Sequence, residues 1–150
     1  PKNISRIMSL RDGTKKMSKS EESSFSRINL KDTDDEIIKK IKKAKSDSEP
    51  IPDNINSLEK KPEALNLLTI YSELTKNNLE KVISEMSGKE YSVLKTKLSE
   101  ALVSEVTPIG KEIKKLLNDK AYLKSILKKG SEKANIIAEE NLKNIREKVG

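Results

Sequence analysis

The sequence predicts a mostly α-helical protein: a helical bundle preceded by an extended polar arm. Three observations carry that expectation. Apolar residues from position 33 onward recur at three- and four-residue spacing, the period of a helix with one buried face. Residues suited to capping, Thr33, Asn78 and Ser131, open several of these stretches. No segment alternates apolar and polar residues for long, so strands are absent or confined to the first dozen residues.

Residues 1–30 hold no helical period, and Ser, Lys and Glu crowd Thr14–Ser26, which reads as an exposed, mobile loop. Thr33-Asp34-Asp35-Glu36 is a capping box, in which the Thr hydroxyl and the Glu carboxylate each satisfy a backbone N–H of the first turn. Ile37, Ile38, Ile41 and Ala44 follow at helical spacing, with Lys on the remaining faces. Residues 46–60 lose the period and contain Pro50 and Pro52, which predicts a surface connector.

Pro62 suits a first helical turn, whose N–H groups lack intrahelical partners. Leu65, Leu67, Leu68, Ile70, Tyr71 and Leu74 give the helix over 62–75 a broad apolar face and make it the central one. Asn78 caps a helix that buries Leu79, Val82, Ile83 and Met86 and stops at Gly88. Tyr91, Leu94, Leu98, Ala101 and Leu102 define a long helix that Pro108 must kink or break, and Ile109, Ile113, Leu116 and Leu117 continue its stripe. Tyr122, Leu123, Ile126 and Leu127 predict a short helix closed by Gly130. Ser131 caps a last one lined by Ala134, Ile137, Ala138, Leu142, Ile145 and Val149. These stripes are expected to meet, each buried Leu or Ile contributing about 1.5–3 kcal/mol. Tyr71, Tyr91 and Tyr122 lie in them and are expected in the core. No internal repeat of fixed period is present.

Composition excludes more than it selects. The chain has 150 residues, 31 Lys+Arg against 24 Asp+Glu, a net charge of +7 and 33% hydrophobic residues, so the core is lean and the surface charged. It has no His, Cys or Trp. A Ser-His-Asp or Cys-His relay therefore cannot be assembled within it, nor a zinc site of ordinary ligands, nor a disulfide. No protein-only metal site is expected. The longest stretch free of charge, Ala64–Ser72, is nine residues, below the roughly 20 that a membrane helix needs. With Lys2 and Arg6 among polar neighbours, no signal-peptide pattern is visible, and a soluble cytoplasmic protein without membrane contact is the expectation. The chain opens at Pro1 without an initiator Met, which suggests a fragment.

The net charge tilts towards an anionic partner. The Lys-rich helix at 35–45 fits phosphate contact or an ordinary solvated face, and only Phe25, Tyr71, Tyr91 and Tyr122 could stack on bases, too few for a single-strand platform. The sharpest feature is Lys16-Met17-Ser18-Lys19-Ser20, preceded by Arg6-Ile7-Met8-Ser9-Leu10-Arg11-Asp12 and Thr14-Lys15. Two ammonium groups, two hydroxyls and loop amides in one place can hold a polyphosphate. A loop without a packed core of its own can also close over a ligand and reopen.

Lys-Met-Ser-Lys-Ser resembles the second signature of class I aminoacyl-tRNA synthetases. The flanking residues resemble the bacterial tryptophanyl-tRNA synthetase family in particular. The resemblance runs through Asp32, Asp47-Ser48, Asn66-Leu67-Leu68-Thr69-Ile70-Tyr71, Gly88-Lys89, Pro108-Ile109 and Gly130-Ser131-Glu132-Lys133-Ala134, close to the last residue. Gly13 departs from the family's usual Pro and is expected to loosen the loop, and Glu21-Glu22 replace a common Asp-Pro.

The resemblance implies the C-terminal part of an enzyme whose Rossmann fold and tryptophan pocket lie ahead of this segment, so that the whole is α/β. Residues 1–30 would be the signature-loop part of the catalytic domain and 31–150 a helical tRNA- and anticodon-binding domain. The implied reaction forms tryptophanyl-adenylate from tryptophan and ATP, with Mg²⁺ arriving on the ATP, and transfers it to tRNA(Trp). Lys16 and Lys19 would be catalytic, and Ile7, Met8, Lys16, Met17, Ser18, Lys19 and Ser20 would contact ATP. Lys111, Lys114 and Lys115, with Lys128 and Lys129, are candidates for tRNA contact. The whole enzyme would be a homodimer, and this piece alone would be inactive. The rival reading is a non-enzymatic basic helical binding module whose Lys/Ser arm is a flexible linker.

Overall fold

The structure, a computed structural model, describes residues 6–150; the reading at Lys2 and the first part of the 1–30 segment lie outside the described residues. The chain divides into two compact units, one reaching to Gly110 and one from Lys111 to Gly150. Six α-helices and one 3-10 turn (Ser24–Ser26) are present among the described residues, and the sole β feature there is an isolated antiparallel bridge between Met8 and Lys16.

In the first unit, α1 (Asp34–Lys42) opens on the predicted capping box: Thr33 Oγ1 accepts from the Glu36 amide, and the Glu36 carboxylate accepts from the Thr33 amide at 2.8 Å. The connector contains more than a surface loop. Asn54 caps a short α2 (Ile55–Glu59), and Ile51 and Leu58 are buried. Ile51 sits between two prolines that fix an extended backbone. Its N–H donates to the Lys89 carbonyl (3.0 Å), and its carbonyl accepts from Gly88 N–H (2.9 Å). Burial of the connector thus comes from a long-range backbone clasp, which periodicity cannot register.

Helix α3 (Pro62–Thr75) carries the predicted Pro in its first turn and ends on Lys76 in the left-handed region, φ 55°. It buries Ala64, Leu67, Leu68 and Ile70 and packs against α2 and α4 (Leu79–Met86). Asn78 caps α4, and Gly88, at φ 71°, turns the chain into α5 (Tyr91–Asn118). Ile37, Ile41, Leu58, Leu68, Val82, Met86, Leu94 and Leu98 form the centre of one core, and Leu10 from the arm joins it. Helix α5 runs through Pro108 without breaking, so of the expected kink or break the break is corrected: Pro108 withholds only one N–H, and helical residues lie on both sides. A Cβ at Gly110 would lie 2.7 Å from the Leu30 carbonyl oxygen, so the absence of a side chain there admits the Leu30 backbone against α5.

In the second unit, a single helix α6 (Lys120–Val149) replaces the two predicted. Asp119 caps it, its carboxylate accepting from the Tyr122 amide at 2.9 Å. Gly130 and Ser131 lie inside it, because a helical Gly loses only about 1 kcal/mol against Ala and does not stop a helix alone. No residue of α6 is buried: Tyr122, Leu127, Ile137 and Ile145 are all exposed. The expectations that Tyr122 lies in the core and that this stripe is buried are therefore corrected. Tyr91 is buried and Tyr71 half-buried.

Candidate functional site

The Lys16–Ser20 run begins on a small hairpin. Ser9 N–H donates to the Lys15 carbonyl (2.8 Å) and Met17 N–H to the Ile7 carbonyl (3.0 Å), so Met8 stands directly across from Lys16. Asp12 closes the turn. Its carboxylate accepts from Thr14 Oγ1 (2.6 Å) and the Thr14 amide (3.0 Å), and Lys15 Nζ lies 3.3 Å away. The Thr14 hydroxyl, then the Thr14 amide and Lys15, hold the Asp12 carboxyl at about 2, so it stays ionised throughout the physiological range.

Gly13 does not loosen this turn. It is buried, and a Cβ there would sit 2.5 Å from backbone atoms of Pro62 and Glu63, so the turn is pressed onto the first turn of α3. Further bonds tie the hairpin to the same unit: Leu10 N–H to the Ser26 carbonyl (2.8 Å), Lys45 N–H to the Leu10 carbonyl (2.8 Å) and Arg11 Nη1 to the Lys43 carbonyl (2.8 Å). The arm is thus built into the helical unit, which corrects a loop without packed anchorage.

Lys16 and Lys19 are exposed, and neither forms an ion pair among the described residues. Ser18 Oγ and Ser20 Oγ are hydrogen-bonded at 2.9 Å, and the Ser20 amide donates to Ser18 Oγ at 3.3 Å. Ile7 is exposed, while Met8, Met17 and Ser18 are half-buried. Two uncommitted ammonium groups and two hydroxyls within five residues suit the oxygens of a polyphosphate. Among the described residues no group of three or more Asp or Glu side chains is placed to hold a metal ion.

Sequence reasoning passed over Arg27. Its Nη1 donates to the Glu21 carbonyl (2.8 Å) and, more weakly, to those of Ser23 (3.3 Å) and Ser18 (3.5 Å), gathering the stretch that follows the signature. One Arg in a Ser/Glu loop has no spacing that would announce this. Asn66, read from the sequence only as part of the family resemblance, is the second such residue: it is buried in α3 and bonds the Met8 backbone. An Asn inside the most apolar helix was the available signal.

A separate cleft of about 710 Å³ lies among α1, the connector and α5, lined by Ile38, Asp47, Tyr91, Lys95 and Val103, and no residue of the signature run faces it. The Lys95 ammonium is already committed there to the Ala44 carbonyl (2.7 Å), Ser46 Oγ (2.8 Å) and the Lys42 carbonyl (3.4 Å), just past the C-terminus of α1. Burial lowers its pKa. Lys111, Lys114 and Lys115 are exposed in the second unit, and Lys115 pairs with Glu112 at 3.4 Å.

A family model described as tRNA synthetases class I (W and Y) matches residues 2–107. The chain belongs to that family. It is 48% identical over 145 residues to a tryptophan–tRNA ligase of Brucella melitensis, covering 97% of this chain and 41% of the relative. It is also 48% identical to one of Rickettsia felis, covering 97% and 43% respectively. The chain therefore spans about two fifths of the length of the curated relatives it matches. A crystal structure of tryptophanyl-tRNA synthetase from Mycoplasma pneumoniae superposes with a TM-score of 0.61 at 34% identity, over 73% of this chain and 35% of that one. The family resemblance drawn from Arg6–Ser20 and the residues that follow, close to the end of the chain, is thus borne out, as is the mostly helical fold. No helix among the described residues is long and apolar enough to cross a membrane.

Proposed function

We propose that this chain is the signature-loop and helical part of a tryptophan–tRNA ligase, a cytoplasmic, homodimeric enzyme that joins tryptophan to tRNA(Trp) using ATP. The observation that carries the proposal is the exposed Lys16/Lys19 set, without ion-pair partners among the described residues, on an anchored hairpin in a chain of this family.

In the activation step the tryptophan carboxylate forms a bond to the α-phosphorus of ATP. The α–β phosphoanhydride breaks, and its electron pair leaves with pyrophosphate. Lys19 chiefly, with Lys16, neutralises the charge gathering on that leaving group, and cations act on rate only as far as they favour the transition state over bound substrate. Ser18 and Ser20 donate hydrogen bonds to phosphate oxygens, and the Ile7–Met8 backbone supports the adenine. Mg²⁺ comes with the ATP and supplies further charge neutralisation. The 3′-terminal ribose hydroxyl of tRNA then attacks the carbonyl of the adenylate and releases AMP. Lys111, Lys114 and Lys115 are solvent-facing cations available to the tRNA backbone.

The test is Lys19→Ala in the synthetase-length polypeptide, read by tryptophan-dependent ATP–pyrophosphate exchange. Loss of one such stabilising group lowers kcat by about 10²–10³. Exchange within a few-fold of wild type would overturn the assignment and return the chain to the basic binding module.

A further inference from the structure

In an antiparallel pair, the residue facing its partner without hydrogen bonds turns its own N–H and C=O to the far side of the strand. Met8 is that residue: its neighbours Ile7 and Ser9 bond the Lys16 strand, while the Met8 peptide groups point away. Both are taken by one side chain. The Met8 N–H donates to Asn66 Oδ1 at 3.0 Å, and Asn66 Nδ2 donates to the Met8 carbonyl at 2.9 Å. Asn66 therefore supplies the hydrogen bonds of a missing third strand from within α3.

Its surroundings make this specific. Asn66 is 6% exposed and flanked in α3 by Leu65, Leu67 and Leu68, a site where an unpaired amide would be costly. Of the side chains, only an amide, or a protonated carboxylic acid of the same length, presents an acceptor and a donor at this spacing. Four residues earlier, the start of α3 is pressed against Gly13 at the other end of the hairpin. The hairpin is thus held at its turn and at its strand by one helix of the core.

We infer that Asn66 is a positioning residue for ATP: by fixing Met8 it sets both the strand assigned to adenine and, through the Met8–Lys16 register, the base of the phosphate-binding loop. The inference rests on the adenylate-forming reading. It also makes α3 the rigid element through which the helical unit sets the geometry of the nucleotide loop.

Two variants test it. Asn66→Ala removes both bonds. In the 150-residue chain the Met8, Ser9 and Met17 amides then exchange with solvent faster, while those of α4 keep their protection. In the synthetase-length polypeptide kcat/KM for ATP falls about 10–100-fold, with KM for tryptophan within about two-fold. Asn66→Asp adds a readout that plain structural support would not give. As a neutral acid it reproduces the amide's donor and acceptor; ionised, it sets a negative charge against the Met8 carbonyl. Burial raises such a carboxyl, so the Asn66→Asp to wild-type ratio of kcat/KM for ATP climbs as pH falls from about 8 to about 6. Should Asn66→Ala fail to fold, that ratio decides alone. A pH-independent ratio overturns the inference. So does an Asn66→Ala enzyme whose ATP and tryptophan constants fall together, or whose ATP constants stay within two-fold. Lys19→Ala run in parallel separates the two ideas. If it retains exchange, the enzymatic reading fails; if it loses exchange while Asn66→Ala keeps ATP handling, only the positioning role fails.

Discussion

The Asp32–Lys40 pair offers the most quantitative test of how the first unit is held together. Lys40 Nζ lies 2.5 Å from Asp32 Oδ2, and the two side chains are 7% and 9% exposed. Asp32 also accepts from the Asn29 amide at 2.8 Å and from Asn29 Nδ2 at 3.1 Å, so both carboxylate oxygens have donors. Breaking a buried pair by deleting one partner costs about 3–5 kcal/mol, because a charge is left without compensation. Since Asn29 keeps part of that compensation, Lys40→Met should cost about 3 kcal/mol, the lower end of the range. At an m-value of about 2 kcal/mol/M the urea midpoint falls by about 1.5 M. Tyrosine fluorescence is the natural readout, since Tyr91 is buried in this unit and the chain has no Trp. Asp32→Asn/Lys40→Met should recover most of the loss, because neither charge then remains. The pH dependence has a defined sign. Burial pushes the Asp32 carboxyl up, but the hydrogen bonds from Lys40 and Asn29 outweigh it and leave the group below the usual aspartate range. Its stabilisation is therefore complete above the unfolded value of about 3.9 and is lost as pH falls through the lower folded value. Without Lys40 less opposes burial, so Asp32 takes up its proton more readily than in the wild type, and the deficit of Lys40→Met narrows in acid. A single-variant cost below about 1 kcal/mol at neutral pH, or a double variant as unstable as the summed singles, would refute the account.

Three further outcomes follow from the same geometry. Gly110→Ala sets a methyl group 2.7 Å from the Leu30 carbonyl oxygen and should destabilise the first unit by about 1–3 kcal/mol in thermal melts, with no cost if that contact is loose. Lys76→Gly relieves a left-handed residue at φ 55° at the end of α3 and should stabilise by about 0.5–1 kcal/mol in urea melts. Replacing Lys111, Lys114 and Lys115 together by Ala should weaken tRNA binding by the synthetase-length polypeptide and reduce the slope of log K against log salt by about 2–3; an unchanged slope removes them from the interface.

What could be read in advance depended on the range of the interaction. The capping box at Thr33, the Pro at the head of α3 and the Asn78 cap are decided within four residues, so the sequence displays them directly. The signature run was legible for a different reason: its exposed ammonium and hydroxyl groups are written in residue types and not in packing. The errors arise where a local rule met a longer-range term. Pro and Gly weaken a helix by fixed local amounts, yet α5 continues past Pro108 and α6 past Gly130, where the residues on either side propagate the helix. The connector reads as polar and broken, yet Ile51 is locked by backbone bonds to Gly88 and Lys89, which only the folded chain brings near. The exposed stripe of α6 is the opposite case: its apolar spacing is regular, but regular spacing only makes a face available and cannot bury it within this chain.

Asn66 shows the limit most clearly. Its value to the site lies in two bonds to a peptide 58 residues away in sequence. Nothing in the identity or spacing of its neighbours encodes which backbone it meets. What the sequence did carry was a conflict: an amide on the helix with the strongest claim to the core. A buried polar group in an apolar helix has to be satisfied by something, and here the partner is the Met8 peptide of the hairpin that carries the signature run. An unpaired amide in a core helix and an unpaired strand edge are each unfavourable alone, and their mutual satisfaction is what registers the hairpin to α3.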